Sequence, residues 1–109
     1  MNILFVCSSN KLRSRTAEDY FYKKYPDFVF GSAGTNKKSC QKEGTTFLTE
    51  DMLDWADLVY VMETKHKKQI KSCIGDKYDK KIRVIDIPDK YKYFQKELIA
   101  LLEKKCIFT

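Results

Sequence analysis

Cys7-Ser8-Ser9-Asn10-Lys11-Leu12-Arg13-Ser14 gathers a thiol, a guanidinium and three hydroxyls in one short segment near the start of the chain. A thiolate is a nucleophile, and a guanidinium offers a planar fork to two phosphate oxygens. The five residues between Cys7 and Arg13 can curl so that successive amides face one centre, a cradle for an anion. The chemistry this permits is attack of sulfur on phosphorus. Such a reaction needs a proton donor at the leaving oxygen and then a base for water, and one carboxyl can serve in turn. Asp86 and Asp89 are the candidates. Asp86 ends a strand-like run and could instead fix a loop or pair with a Lys. Asp89 lies beside Tyr91, whose ring could line the mouth of a pocket.

A cradle of this kind requires a strand before it and a helix after it. Helix starts carry unpaired N–H groups and the positive end of the dipole, and in open α/β sheets ligands bind at the C-terminal ends of strands. The flanking sequence meets both demands. Asn2 to Cys7 is apolar on both faces and reads as a buried parallel strand. After the loop, Ser14 is a cap or first-turn residue, and Ala17, Tyr20, Phe21 and Lys24 recur at helical spacing until Pro26. Without that placement, Cys7 would read as a small buried residue closing a strand.

Further along, Phe28-Val29-Phe30 is expected to be a second strand ending in a turn at Gly31-Ser32-Ala33-Gly34, with Thr35 to Thr46 a mobile, Lys-rich loop. Thr49 should cap a helix carrying Met52, Leu53 and Trp55, followed by a strand at Leu58 to Met62. A basic helix from Lys65 to Cys73 leads through a turn at Gly75-Asp76 to a strand at Ile82 to Ile85. A last amphipathic helix carries Phe94, Leu98, Leu101 and Leu102. This alternation predicts an α/β fold: a small, doubly wound, four-stranded parallel sheet with helices on both faces.

Composition bounds the rest. At 109 residues the chain is expected to form one domain, 1–109, and 43% hydrophobic residues suffice for a core. Ile3 to Cys7, among its longest apolar runs, is far below the about 20 residues of a membrane helix. It also lies too close to Met1 for a secretory leader, so a cytoplasmic protein without a membrane partner is expected. The net charge of +6 favours anionic partners, but no arginine cluster marks a nucleic-acid groove, so nucleic acid is not expected. The four cysteines, Cys7, Cys40, Cys73 and Cys106, form no C-x-x-C pair, and His66 is the only histidine. No metal and no cofactor are expected.

Ile3-Leu4-Phe5-Val6-Cys7-x-x-Asn10-x-x-Arg13-Ser14 resembles the phosphate loop of the low-molecular-weight protein tyrosine phosphatases. Two further segments are similar to that family: Gly31-Ser32-Ala33-Gly34-Thr35, and Ile87-Pro88-Asp89-Lys90-Tyr91. The chain resembles a short, divergent member. The resemblance implies that Cys7 is the nucleophile, Arg13 the phosphate clamp and Asp89 the general acid. It further implies that Asn10 shapes the loop and that Ser14 donates to the thiolate. Ser8, Ser9, Lys11, Leu12 and Tyr91 complete the expected phosphate and substrate contacts. The implied activity is hydrolysis of phosphotyrosine-type monoesters through a phosphocysteine. The partners would be a phosphorylated protein or small aryl phosphate, with inorganic phosphate or sulfate able to occupy the loop.

The chain departs from the family's pattern at several positions. Ser9 replaces a usual Gly, Leu12 a second Cys, and Lys90 a Pro, while the stretch from Thr35 to Thr49 is much shortened. Lys11 stands where the family commonly has Ile or Thr. Directed to the rim it would attract a second negative charge near the phosphate; turned to solvent it would do nothing. Two other functions fit the same residues. A thioredoxin-linked arsenate reductase would need a relay of further cysteines, and a non-catalytic phosphate-, phosphoprotein- or RNA-binding module would need only the cradle and the Lys-rich face.

Overall fold

The computed structural model describes residues 1–108. Four parallel strands, β1 (Asn2–Cys7), β2 (Val29–Gly34), β3 (Leu58–Val61) and β4 (Ile82–Val84), lie in the order β2-β1-β3-β4. Five helices connect and cover them: α1 (Arg13–Lys24), α2 (Lys37–Glu43), α3 (Glu50–Trp55), α4 (Thr64–Cys73) and α5 (Lys96–Lys105). The α/β class and the four-stranded parallel sheet expected from the alternating pattern are both present.

The apolar run of β1 is explained by its central place. Ile3, Phe5 and Cys7 face a cluster that includes Ala17 and Phe21 of α1 and Leu98 and Leu102 of α5. Leu4 and Val6 face the opposite cluster, with Leu53 of α3 and Ile70 of α4. Alternate residues thus enter different cores, so no face of β1 is left for polar side chains. The first cluster is aromatic: Phe21 stacks on Phe5 at 5.7 Å and meets the edge of Phe108 at 4.9 Å.

Three expectations need correction. The glycines of Gly31-Ser32-Ala33-Gly34 make no turn; they lie within β2, paired with β1 from Leu4↔Gly31 to Cys7↔Gly34. Gly34 is needed for proximity, because a Cβ there would stand 2.5 Å from the Ser8 carbonyl oxygen and 2.7 Å from Cys40 Sγ. The segment read as a mobile loop contains α2. Asn36 caps it by accepting the Ser39 N–H at 3.0 Å, and left-handed Gly44 (φ 68°) ends it. Its seven residues bury only Cys40, so no apolar periodicity announces it. Phe94 precedes α5 rather than lying in it, at φ 60°, with its N–H donating to Thr16 Oγ1 at 2.9 Å.

β3 follows two helices and returns to the far side of β1, so the direction of winding reverses at β1. The crevice this opens lies at the C-terminal end of β1, where Cys7 ends the strand. Because the aromatic cluster holds α1 against this strand, Phe21→Ala should cost about 3–5 kcal/mol in urea unfolding. Tyr22→Ala, at a residue that is 69% exposed, should stay within about 0.5 kcal/mol.

Candidate active site

The loop from Ser8 to Leu12 leaves β1 and enters α1 with Leu12 at the N-cap position, which supplies no side-chain cap. The first helical hydrogen bond runs from Thr16 N–H to the Leu12 carbonyl at 2.9 Å. None of the backbone N–H groups of residues 8–12 finds an acceptor among the described residues. Asn10 makes the curl possible. It adopts φ 53°, a left-handed conformation that Asn tolerates better than most residues, and is almost wholly buried. Its Nδ2 donates to Ser14 Oγ at 2.9 Å, and its Oδ1 accepts the Thr46 N–H at 3.2 Å. Thr45 Oγ1 donates to the Ser9 carbonyl at 2.5 Å, fixing the loop from the same side.

Cys7 lies beneath this loop, with its Sγ 3.0 Å from Ser14 Oγ. Ser14 accepts from Asn10, and its own hydroxyl proton has two acceptors in reach, the sulfur at 3.0 Å and the Ala33 carbonyl at 3.5 Å. Arg13 is 1% exposed. Its Nη1 donates to Glu63 Oε2 at 2.5 Å and to the Ile87 carbonyl at 2.8 Å, while Nε lies 3.8 Å from Asp89 Oδ1. Nη1 is thus fully engaged by the protein, and Nε with Nη2 forms the edge left for a ligand. The hydrogen bond and charge of Arg13 hold the Glu63 carboxyl below the usual carboxylate range despite partial burial.

One cleft is lined by Cys7, Ser8, Ser9, Lys11, Leu12, Arg13, Glu43 and Asp89. Asn10 and Ser14 sit behind its wall. Asp86 is elsewhere: at φ 50° it lines a separate hollow with Glu63, Thr64, Lys65 and Pro88. Its carbonyl accepts from Lys105 Nζ at 2.9 Å. Tyr91 does not line the cleft. Its half-buried ring packs against the cluster of Ile87 and Leu98, with Lys90 Nζ 5.6 Å from the ring centroid. Lys11 does reach the rim, but its ammonium is paired with Glu43 Oε2 at 3.0 Å, so α2 partly compensates the charge expected to attract an anion. Among the described residues no group of three His, Cys, Asp or Glu is placed to hold a metal ion.

Glu63 and His66 are not among the residues that sequence reasoning singles out for the site. They form a reciprocal capping box at the start of α4: Glu63 accepts from the backbone of His66, and His66 Nδ1 accepts the Glu63 N–H at 3.0 Å. The other ring nitrogen, Nε2, lies 3.0 Å from Ser8 Oγ. The available signal is the Glu-x-x-His spacing at the C-terminal end of a strand, where side chains overhang the crevice.

No protein-family model matches the chain, and no curated protein sequence does. Solved structures do. The low-molecular-weight protein tyrosine phosphatase from T. tengcongensis is 28% identical, with 95% of this chain and 96% of that one aligned at a TM-score of 0.75. The tyrosine phosphatase Wzb from Escherichia coli K30, solved with phosphate, is 25% identical over 95% and 91% at 0.75. The YwlE arginine phosphatase from Geobacillus stearothermophilus is 23% identical over 94% and 88% at 0.74. The resemblance read in the loop therefore extends through nearly the whole chain. Its fold is that of the low-molecular-weight protein tyrosine phosphatases.

Burial, reinforced by the Arg13 charge, lowers the His66 pKa from 6.5 to about 4. The unfolded chain takes up the proton first on acidification. Stability from this group is therefore complete above pH 6.5 and lost progressively as pH falls to about 4, by up to about 3 kcal/mol. Urea titrations across that range should show the decline in the wild-type chain and a flatter profile in His66→Gln.

Proposed function

We propose that the chain is a cysteine-dependent phosphatase acting on phosphotyrosine-type monoesters, on a phosphorylated protein or small aryl phosphate. The observation that carries this reading is the convergence on one cleft of Cys7, Arg13, Asp89 and a loop of unpaired N–H groups. Inorganic phosphate or sulfate would occupy the same cradle. Wzb from Escherichia coli K30 has been solved with each of them.

In the proposed reaction the Cys7 thiolate, held by Ser14, attacks phosphorus. An S–P bond forms as the P–O bond to the leaving group breaks. The loop N–H groups and the Nε–Nη2 edge of Arg13 receive the charge on the equatorial oxygens. Asp89 gives its proton to the leaving oxygen. As a carboxylate it then takes a proton from water, whose oxygen displaces sulfur and releases inorganic phosphate. Asp89 is preferred over Asp86 because only Asp89 lines the Cys7 cleft.

A disulfide relay of the arsenate reductase type through Cys73 and Cys106 has little support. Cys106 lies in the aromatic cluster, and burial pushes its thiol up to about 12, while Cys73 is exposed on α4. The non-catalytic binding module differs from the proposed enzyme only by turnover. Aryl phosphate hydrolysis that is abolished in Cys7→Ser supports the enzyme; binding of phosphate without turnover supports the module. Asp89→Asn should lower turnover by about 10² or more on substrates with poor leaving groups and far less on one that leaves unaided. Asp86→Asn should show no such contrast.

The Lys11–Glu43 pair tunes what approaches the rim. Lys11→Ile exposes an uncompensated carboxylate, so kcat/KM should fall for phosphopeptides with adjacent Asp or Glu. Glu43→Gln should raise it. Each change should amount to about 0.2–1 kcal/mol and disappear in high salt. Neutral aryl phosphates should respond to neither variant.

A further inference from the structure

His66 is the only histidine, it is wholly buried, and it lies outside the cleft. Its ring is nevertheless held at both nitrogens. Nδ1 accepts the Glu63 N–H, and a ring nitrogen that accepts a backbone N–H carries no proton. The neutral ring therefore has its proton on Nε2, which faces Ser8 Oγ at 3.0 Å. The direction of that bond follows: Nε2–H donates and Ser8 accepts. A serine hydroxyl accepting from the ring must turn its own proton elsewhere. Ser8 is half-buried and lines the cleft beside Cys7 and Arg13, so the open direction is the one an anion would occupy.

The same capping box also holds Arg13. Glu63 takes Nη1 of Arg13 and leaves the Nε–Nη2 edge free. One turn of backbone, the start of α4, therefore orients two donors that come from different ends of the phosphate loop.

We propose that His66 is a positioning residue for the cradle, fixing the Ser8 hydroxyl as a donor to the bound phosphoryl group. The proposal deepens the phosphatase reading and rests on it for the identity of the anion. His66 touches neither the anion nor the nucleophile; it acts through Ser8. A hydroxyl free to rotate would spend part of its time donating to a neighbouring carbonyl or to water, and a fixed one adds a charge-assisted hydrogen bond without that loss.

The test reads binding of inorganic phosphate by calorimetry, which requires no turnover, alongside hydrolysis of an aryl phosphate. Ser8→Ala should weaken phosphate roughly tenfold, the loss expected for one hydrogen bond to a charged group. Ser8→Thr, which keeps the hydroxyl, should stay near wild type. His66→Leu should weaken phosphate about as much as Ser8→Ala, and the double variant no more than either alone. His66→Gln keeps both an acceptor for the Glu63 N–H and an amide donor for Ser8, so it should restore most of the affinity. Ring nitrogen NMR shifts of the unsubstituted chain should place the proton on Nε2, a readout that stands even if His66→Leu does not fold. A proton on Nδ1, unchanged affinity in Ser8→Ala, or losses that add fully in the double variant would overturn the proposal. If phosphate binding shows the coupling and hydrolysis is absent, the positioning role stands and the phosphatase reading fails. Hydrolysis without the coupling overturns the positioning role and leaves the phosphatase reading standing. A chain that binds no phosphate overturns both.

Discussion

The five consecutive N–H groups of Ser8 to Leu12 have no acceptor among the described residues, an arrangement that folded backbone ordinarily avoids. It persists because several contacts hold the loop in place. Asn10 takes the left-handed angle and ties itself to Ser14 and Thr46, Thr45 holds the Ser9 carbonyl, and Gly34 lets the Ser8 carbonyl approach β2 with no Cβ between them. The order of the sheet follows the same need. Because β1 lies between β2 and β3, the loop meets Thr45 and Thr46 beside β2 and His66 beyond β3.

Arg13 is the second constraint. A fully buried cation is strongly unfavourable unless its protons find partners, and here one nitrogen is satisfied by Glu63 and the Ile87 carbonyl. A lysine could not reproduce this division, because its single ammonium has no separate edge to commit to the protein while keeping another for the ligand. The guanidinium is simultaneously a structural bridge between α1, the start of α4 and the segment after β4, and a buried positive charge lining the cleft.

What is legible in the sequence is what depends on local pattern. The doubly apolar run of β1, the helical spacing of Ala17, Tyr20 and Phe21, and the hydroxyl at Thr49 that caps α3 at Met52 N–H are all local signals. The placement of Cys7, Arg13 and Asp89 on one cleft follows from the same pattern joined to the family resemblance. The helix α2 escapes because its polar residues bury a single side chain, and Gly34 reads as a turn because close approach and turning call for the same residue. The local Glu-x-x-His spacing announces a helix start, but the links from Glu63 to Arg13 and from His66 to Ser8 cross some fifty residues or more of chain and are encoded by no local periodicity. The rim position of Lys11 is foreseeable, yet its partner Glu43 lies in a segment whose sequence reads as a loop.

The helix α2 is attached to the cradle lightly, through buried Cys40 and the threonines that follow it, and it presents Glu43 to the rim. The groups assigned to bond making, by contrast, are rooted in β1, α1 and the segment after β4. Substitutions in these two parts of the molecule would therefore have different consequences. A drift in the sequence of α2 alters the company a phosphoryl group keeps without disturbing the arms that hold it. Recognition at the rim and chemistry at the centre are in this sense separable parts of one cleft.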